Sequence, residues 1–122
     1  MAQDLQNSLE TFFGFRKFRA GQEDIVSRIL RRNNLLAVMP TGSGKSLCYQ
    51  LPALLLDGRT IVVSPLIALM DDQVAQLQSL KLPSDKMHSH QTEEENRLVW
   101  RRFSNGTTKI LYISPERLMT EK

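Results

Sequence analysis

Eight consecutive residues, Met39-Pro-Thr-Gly-Ser-Gly-Lys-Ser, carry the densest chemistry in the sequence. Gly42 and Gly44 permit backbone angles that other residues resist, so in the loop Pro40, Thr41, Gly42, Ser43 and Gly44 the successive amide hydrogens, which proline alone lacks, turn toward phosphate oxygens. Lys45 adds a full positive charge for β- and γ-phosphates, and Ser46 a hydroxyl for Mg²⁺, the expected partner of a bound triphosphate. The strict phosphate-loop pattern begins on glycine, where this sequence has Met39. An ordinary glycine-rich turn is the competing reading. Against it stands the setting: an apolar run precedes the loop and a helical pattern follows, so the amides open onto a helix amino terminus that favours anions.

Other groups admit two readings. Phe13, Phe15 and Phe18 interleave with Arg16, Lys17 and Arg19, and Trp100 precedes Arg101 and Arg102. Such patterns suit phosphate, base or adenine contacts, and equally a core face beside a solvated one. His88 and His90 lack further ligand residues at metal spacing and read as solvated or half-buried histidines. Cys48, one helical turn past Lys45, reads as a small core residue. Asp71-Asp72 and Glu93-Glu94-Glu95 read as helix-surface charge.

The elements that must hold these groups follow from periodicity. Residues 35–39, 60–64 and 109–114 are short, aliphatic and not alternating, as strands buried on both faces are. They predict a parallel sheet. Helical spacing appears in Ile25, Val26, Ile29 and Leu30; in Leu47, Leu51, Leu54 and Leu55, where Pro52 should restrict or kink the turn; and in Leu66, Leu69, Met70, Val74 and Leu77. A third crossover helix is expected over 93–103, opened by a capping box of Thr92 and Glu95. A short strand is expected near 86–89. The alternation predicts an α/β fold, a doubly wound, mainly parallel sheet flanked by helices, with ligands at the strands' carboxyl ends.

Composition bounds the rest. At 122 residues the chain holds one modest domain, with 41% hydrophobic and 24% charged residues. A formal charge of +3 is a mild bias. No apolar run approaches the roughly 20 residues that span a bilayer, and the start has no leader pattern. The single cysteine rules out an internal disulfide and fits a reducing compartment.

With these residues in view, the chain resembles the RecQ family of DNA helicases, in helicase superfamily two. Four ordered blocks carry the resemblance: Phe13-Gly-Phe-Arg-Lys-Phe-Arg-Ala-Gly-Gln, the loop with Ser46-Leu-Cys-Tyr-Gln-Leu-Pro-Ala, Val63-Ser-Pro-Leu-Ile-Ala-Leu-Met-Asp-Asp-Gln-Val, and Leu111-Tyr-Ile-Ser-Pro-Glu-Arg-Leu. The resemblance implies a RecA-like ATPase fold over residues 1–122, the amino-terminal part of the first motor domain. It gives Phe15 to stacking on adenine, Gln22 to its edge and Arg19 to a further adenine-side contact. It runs Ser64-Pro65 and Ser114-Pro115 along single-stranded DNA. Both Ser-Pro pairs also read as a helix cap followed by a first-turn proline. The resemblance further implies ATP and Mg²⁺ as cofactors, single-stranded and branched DNA as partners, 3′ to 5′ movement, and a role in repair and recombination. The expected place is the cytoplasm and nucleoid in bacteria, or the nucleus in eukaryotes.

The family's Asp-Glu-Ala-His motif and second motor domain do not occur in these residues, so the fragment is expected to bind nucleotide without unwinding DNA. The sequence leaves two alternatives: a non-catalytic nucleotide-binding module, and another phosphate-loop protein such as a nucleotide kinase. The second leaves the Gln22 segment and Ser64-Pro-Leu unexplained.

Overall fold

The computed structural model describes residues 2–37 and 45–119, and these form two units, Met1–Asp57 and Gly58–Lys122. Leu5, Leu9, Phe12 and Phe13 recur at helical spacing and build α1 (Ala2–Phe13), an element the sequence reading did not anticipate. α2 (Gln22–Leu30) opens on Gly21, whose φ of 84° lies in the left-handed region that glycine enters without strain. Glu23 and Asp24 in its first turn and Arg28 in its last complement the helix dipole. α3 (Lys45–Leu55) follows the phosphate loop. It runs through buried Pro52, which interrupts its ladder by one donor without ending it. Leu5, Leu9, Val26, Leu47 and Leu51 form the core of this unit, with Phe12, Phe13, Phe18, Leu30 and Leu55 packed around it.

The second unit is a sheet with helices on both faces. β1 (Thr60–Val63), β2 (Ser84–Met87) and β3 (Ile110–Ile113) are parallel in the order β1-β3-β2. The register sets Val63 and Met87 both level with Ile113. Side chains alternate between faces, so odd-numbered residues of all three strands share one side. There Met87, Leu111 and Ile113 pack with Val99 and Phe103 of α5 (Glu93–Ser104). On the even side lies α4 (Ile67–Ser79), which buries Met70, Val74 and Leu77 and whose Gln73 Oε1 accepts the Tyr112 hydroxyl at 3.0 Å. α6 (Pro115–Met119) follows β3.

Several expectations meet corrections. Residues 35–37, expected in the first strand, have no strand pairing, and Leu36 is 90% exposed; residues 38 and 39 lie outside the described residues. β3 is buried on both faces, but β1 is not: α5 leaves Ile61 and Val63 about half exposed. β2 begins two residues earlier than expected because polar Ser84 and Asp85 are buried, the latter against Arg102 and Thr108. The capping box at α5 forms as read, with the Glu95 amide donating to Thr92 Oγ1 at 3.0 Å and the Thr92 amide to Glu95 Oε1 at 2.8 Å.

Candidate functional site

The phosphate loop proper, Met39, Pro40, Thr41, Gly42, Ser43 and Gly44, lies outside the described residues. Its downstream anchor is described. Lys45 is the first residue of α3 and is exposed; Ser46 beside it is half-buried. The first turn of α3 holds no acidic residue, so the positive end of its dipole is not offset from within the helix. Buried Leu47 and Leu51 fasten the helix to the core of its unit and fix where that end points. Cys48 is buried as expected, and burial pushes its thiol up, away from nucleophilic chemistry.

Upstream, Phe15 is 55% exposed and Arg19 is exposed, while Gln22 is buried at the start of α2. The Arg19 amide donates to Gln22 Oε1 at 2.7 Å, and the Gln22 amide donates back to the Arg19 carbonyl at 3.0 Å. This reciprocal pair closes the turn before α2 and locks the carboxamide in one orientation. Phe13 and Phe18 pack on the core; Phe15 does not, so the aromatic cluster divides between packing and display.

In the second unit the strand ends align. The Ser64 amide donates to the Ile113 carbonyl at 3.1 Å and the Ser114 amide to the Met87 carbonyl at 3.1 Å, which extends the ladder one residue past each strand. Ser64, Ser114 and His88 therefore stand side by side at the carboxyl edge on the α4 face. Ser114 caps α6 as read: the Arg117 amide donates to its Oγ at 3.3 Å, with Pro115 in the first helical position. Ser64 does not cap α4. The helix starts later, at Ile67 after Leu66, and Ser64 Oγ accepts the Leu66 amide at 3.3 Å in a local turn. Arg117 of α6 reaches Glu93 of α5 at 3.1 Å, tying two elements of this edge.

Asp71 is not free surface charge. Its Oδ1 accepts Lys86 Nζ at 2.8 Å and lies 3.3 Å from Nε2 of buried His88. The Lys86 hydrogen bond first, and His88 with it, hold the carboxyl below the usual range. No local pattern signals this cluster, since it depends on the register of a polar strand. Trp100, Arg101 and Arg102 do not form one site: Arg102 binds Asp85, while half-exposed Trp100 lies 5.6 Å from Phe103 beside a cavity of about 430 Å³. Gly58, Arg59 and Ile61 line that cavity at the start of β1, away from the aligned strand ends. Among the described residues no helix is long and apolar enough to cross a membrane.

Residues 19–122 match the family model described as DEAD/DEAH box helicase. The chain is 49% identical over 112 residues to the ATP-dependent DNA helicase RecQ of Haemophilus influenzae, covering 92% of the chain and 18% of that protein. It is 45% identical over 120 residues to the RecQ of Pasteurella multocida, covering 98% and 19%. The chain thus spans about a fifth of the length of these relatives. A crystal structure of a hypothetical ATP-dependent RNA helicase from Sulfolobus tokodaii shares the fold, with a TM-score of 0.75 at 20% identity over 98% of this chain and 35% of that one. Since the match runs from the segment before α2 to the residues past β3, far beyond one loop, the chain belongs to the DEAD/DEAH box helicase family and is RecQ-like within it.

Proposed function

We propose that this chain is the amino-terminal part of the first RecA-like motor domain of an ATP-dependent DNA helicase. The observation that carries the reading is Lys45, exposed at the head of a helix whose first turn holds no carboxylate, directly after Gly42-Ser-Gly. That arrangement fits a triphosphate, because an anion there meets a lysine and an unopposed dipole. Lys45 would hold the β- and γ-phosphates, and the loop Pro40, Thr41, Gly42, Ser43 and Gly44 would wrap them. Ser46 would orient Mg²⁺, which supplies charge neutralisation when bound. Phe15 offers an exposed ring for adenine, Gln22 a locked amide for its edge, and Arg19 a cation beside them.

The aligned strand ends would meet nucleic acid. Ser64-Pro65 and Ser114-Pro115 occupy neighbouring positions at one edge, where a single strand can pass from one to the other. In this reading the whole protein moves 3′ to 5′ on single-stranded DNA and opens duplex or branched DNA in repair and recombination; the present residues bind nucleotide without turning it over.

Calorimetric titration of the chain with ATP in the presence of Mg²⁺ tests the reading. Binding should be adenine-selective over GTP and should fall about 10- to 100-fold in Lys45→Ala, the worth of a charged contact. Binding of ATP unchanged by Lys45→Ala would sink it.

A further inference from the structure

His88 follows β2 directly and lies level with Ser64 and Ser114 on the α4 face. Its ring is buried, 4% exposed, and both nitrogens are engaged. Nδ1 accepts the amide hydrogen of His90 at 3.2 Å, and Nε2 lies 3.3 Å from Asp71 Oδ1. A backbone amide can only donate, so Nδ1 presents its lone pair and Nε2 carries the hydrogen; the ring is neutral and in one tautomer. The His88 carbonyl accepts the Gln91 amide at 3.2 Å and Asn96 Nδ2 at 3.3 Å. One residue thereby ties α4, β2, α5 and the turn over residues 88–91.

We propose that His88 is a positioning residue for this edge, and that protonation of its ring loosens the turn over residues 88–91. The inference rests on the reading of the edge as a nucleic-acid face. A proton added at Nδ1 would set an N–H against the His90 N–H, two donors with no acceptor between them, so that hydrogen bond must break. The charged and titratable groups facing the ring are Asp71 from α4, Lys86 from its own strand, and His90, edge-on at 5.8 Å between ring centroids; α5 brings the neutral Asn96. Lys86 and the ring share the same Asp71 oxygen. Loss of that one hydrogen bond moves the exposed Ser89 and His90, while the His88 carbonyl keeps its anchors to Gln91 and Asn96.

Nitrogen-15 NMR of the whole chain from about pH 8 to about pH 5.5 tests this without nucleic acid. The His88 ring should be the Nε2–H tautomer at the upper end, and the His90 and Gln91 amides should titrate with the ring. His88→Asn keeps a non-titrating acceptor near the Nδ1 position and should hold the turn at every pH, whereas His88→Ala should lose it throughout. An Nδ1–H tautomer at the upper end, or amides that ignore the ring, overturns the proposal. Fluorescence anisotropy with a single-stranded oligonucleotide then separates it from the functional reading. The ratio of wild-type to His88→Asn affinity should change about three- to tenfold across the range, the worth of one hydrogen bond. A constant ratio would overturn the positioning role. An intact NMR response without oligonucleotide binding at any pH supports the pin on the turn and sinks the nucleic-acid reading instead.

Discussion

Replacing Asp85 with alanine should cost the second unit about 1.5–4 kcal/mol. Its side chain is 12% exposed and every oxygen is used: Oδ1 accepts Arg102 Nη2 at 2.8 Å, while Oδ2 accepts Arg102 Nε at 2.9 Å and Thr108 Oγ1 at 2.6 Å. Arg102, 44% exposed, recovers water when released, so its share is only about 0.5–1 kcal/mol. The Thr108 hydroxyl cannot recover water at 2% exposure, and leaving it unpaired costs about 1–3 kcal/mol. Arg102→Met should cost at least as much as Asp85→Ala, because it strands a nearly buried carboxylate. The double variant should fall close to Asp85→Ala alone, since the methionine then faces no orphaned charge. Urea unfolding read by Trp100 fluorescence reports this directly, because Trp100 is the only tryptophan and lies on the same helix as Arg102. A loss below about 1 kcal/mol for Asp85→Ala, or strict additivity of the pair, would refute the reasoning.

Thr92→Ala removes the acceptor of the α5 capping box and should lower stability by about 1 kcal/mol in the same urea assay, with a smaller loss for Thr92→Ser. Leu51→Ala empties the centre of the helical unit and should cost about 2–5 kcal/mol, seen as an earlier loss of far-ultraviolet circular dichroism with denaturant. Asp71, with its carboxyl held low chiefly by Lys86, adds stability above the unfolded carboxylate value near pH 4, and this is lost as pH falls through the lower folded value. The difference in urea midpoint between wild type and Asp71→Asn should therefore shrink as the pH falls below about 4.

Legibility in the sequence followed local physics. The period of Met70, Val74 and Leu77 placed α4, and Thr92 with Glu95 fixed the start of α5 to the residue, because both signals lie within one or two helical turns. β3 was plain because Ile110, Leu111, Tyr112 and Ile113 are covered on both sides. β2 was shifted because Ser84 and Asp85 look like turn residues, and the partners that let Asp85 be buried, Arg102 and Thr108, lie 17 and 23 positions away. At the candidate site, the spacing and setting that singled out Lys45 and Ser46 also put them where a helix begins, and α3 does begin at Lys45. The alignment of Ser64, His88 and Ser114, and the grip of Asp71 on His88, depended on which strand stands beside which, and no local pattern encodes that.

The strand order β1-β3-β2 has a consequence for synthesis. Among the described residues β1 pairs only with β3, whose Ile110 meets Thr60 across roughly 50 residues of intervening chain. At ribosomal rates of about 5–20 residues per second, β1 waits several seconds for that partner after it leaves the tunnel. α4 can form and shield the Val62 face during the wait, but Ile61, Val63 and the strand's hydrogen-bonding edges stay open to any other extended chain. β3 is therefore the keystone of nascent folding: until it arrives, β1 and β2 are two unjoined hairpinless strands, and the interval is when a chaperone that holds extended apolar segments has most to offer.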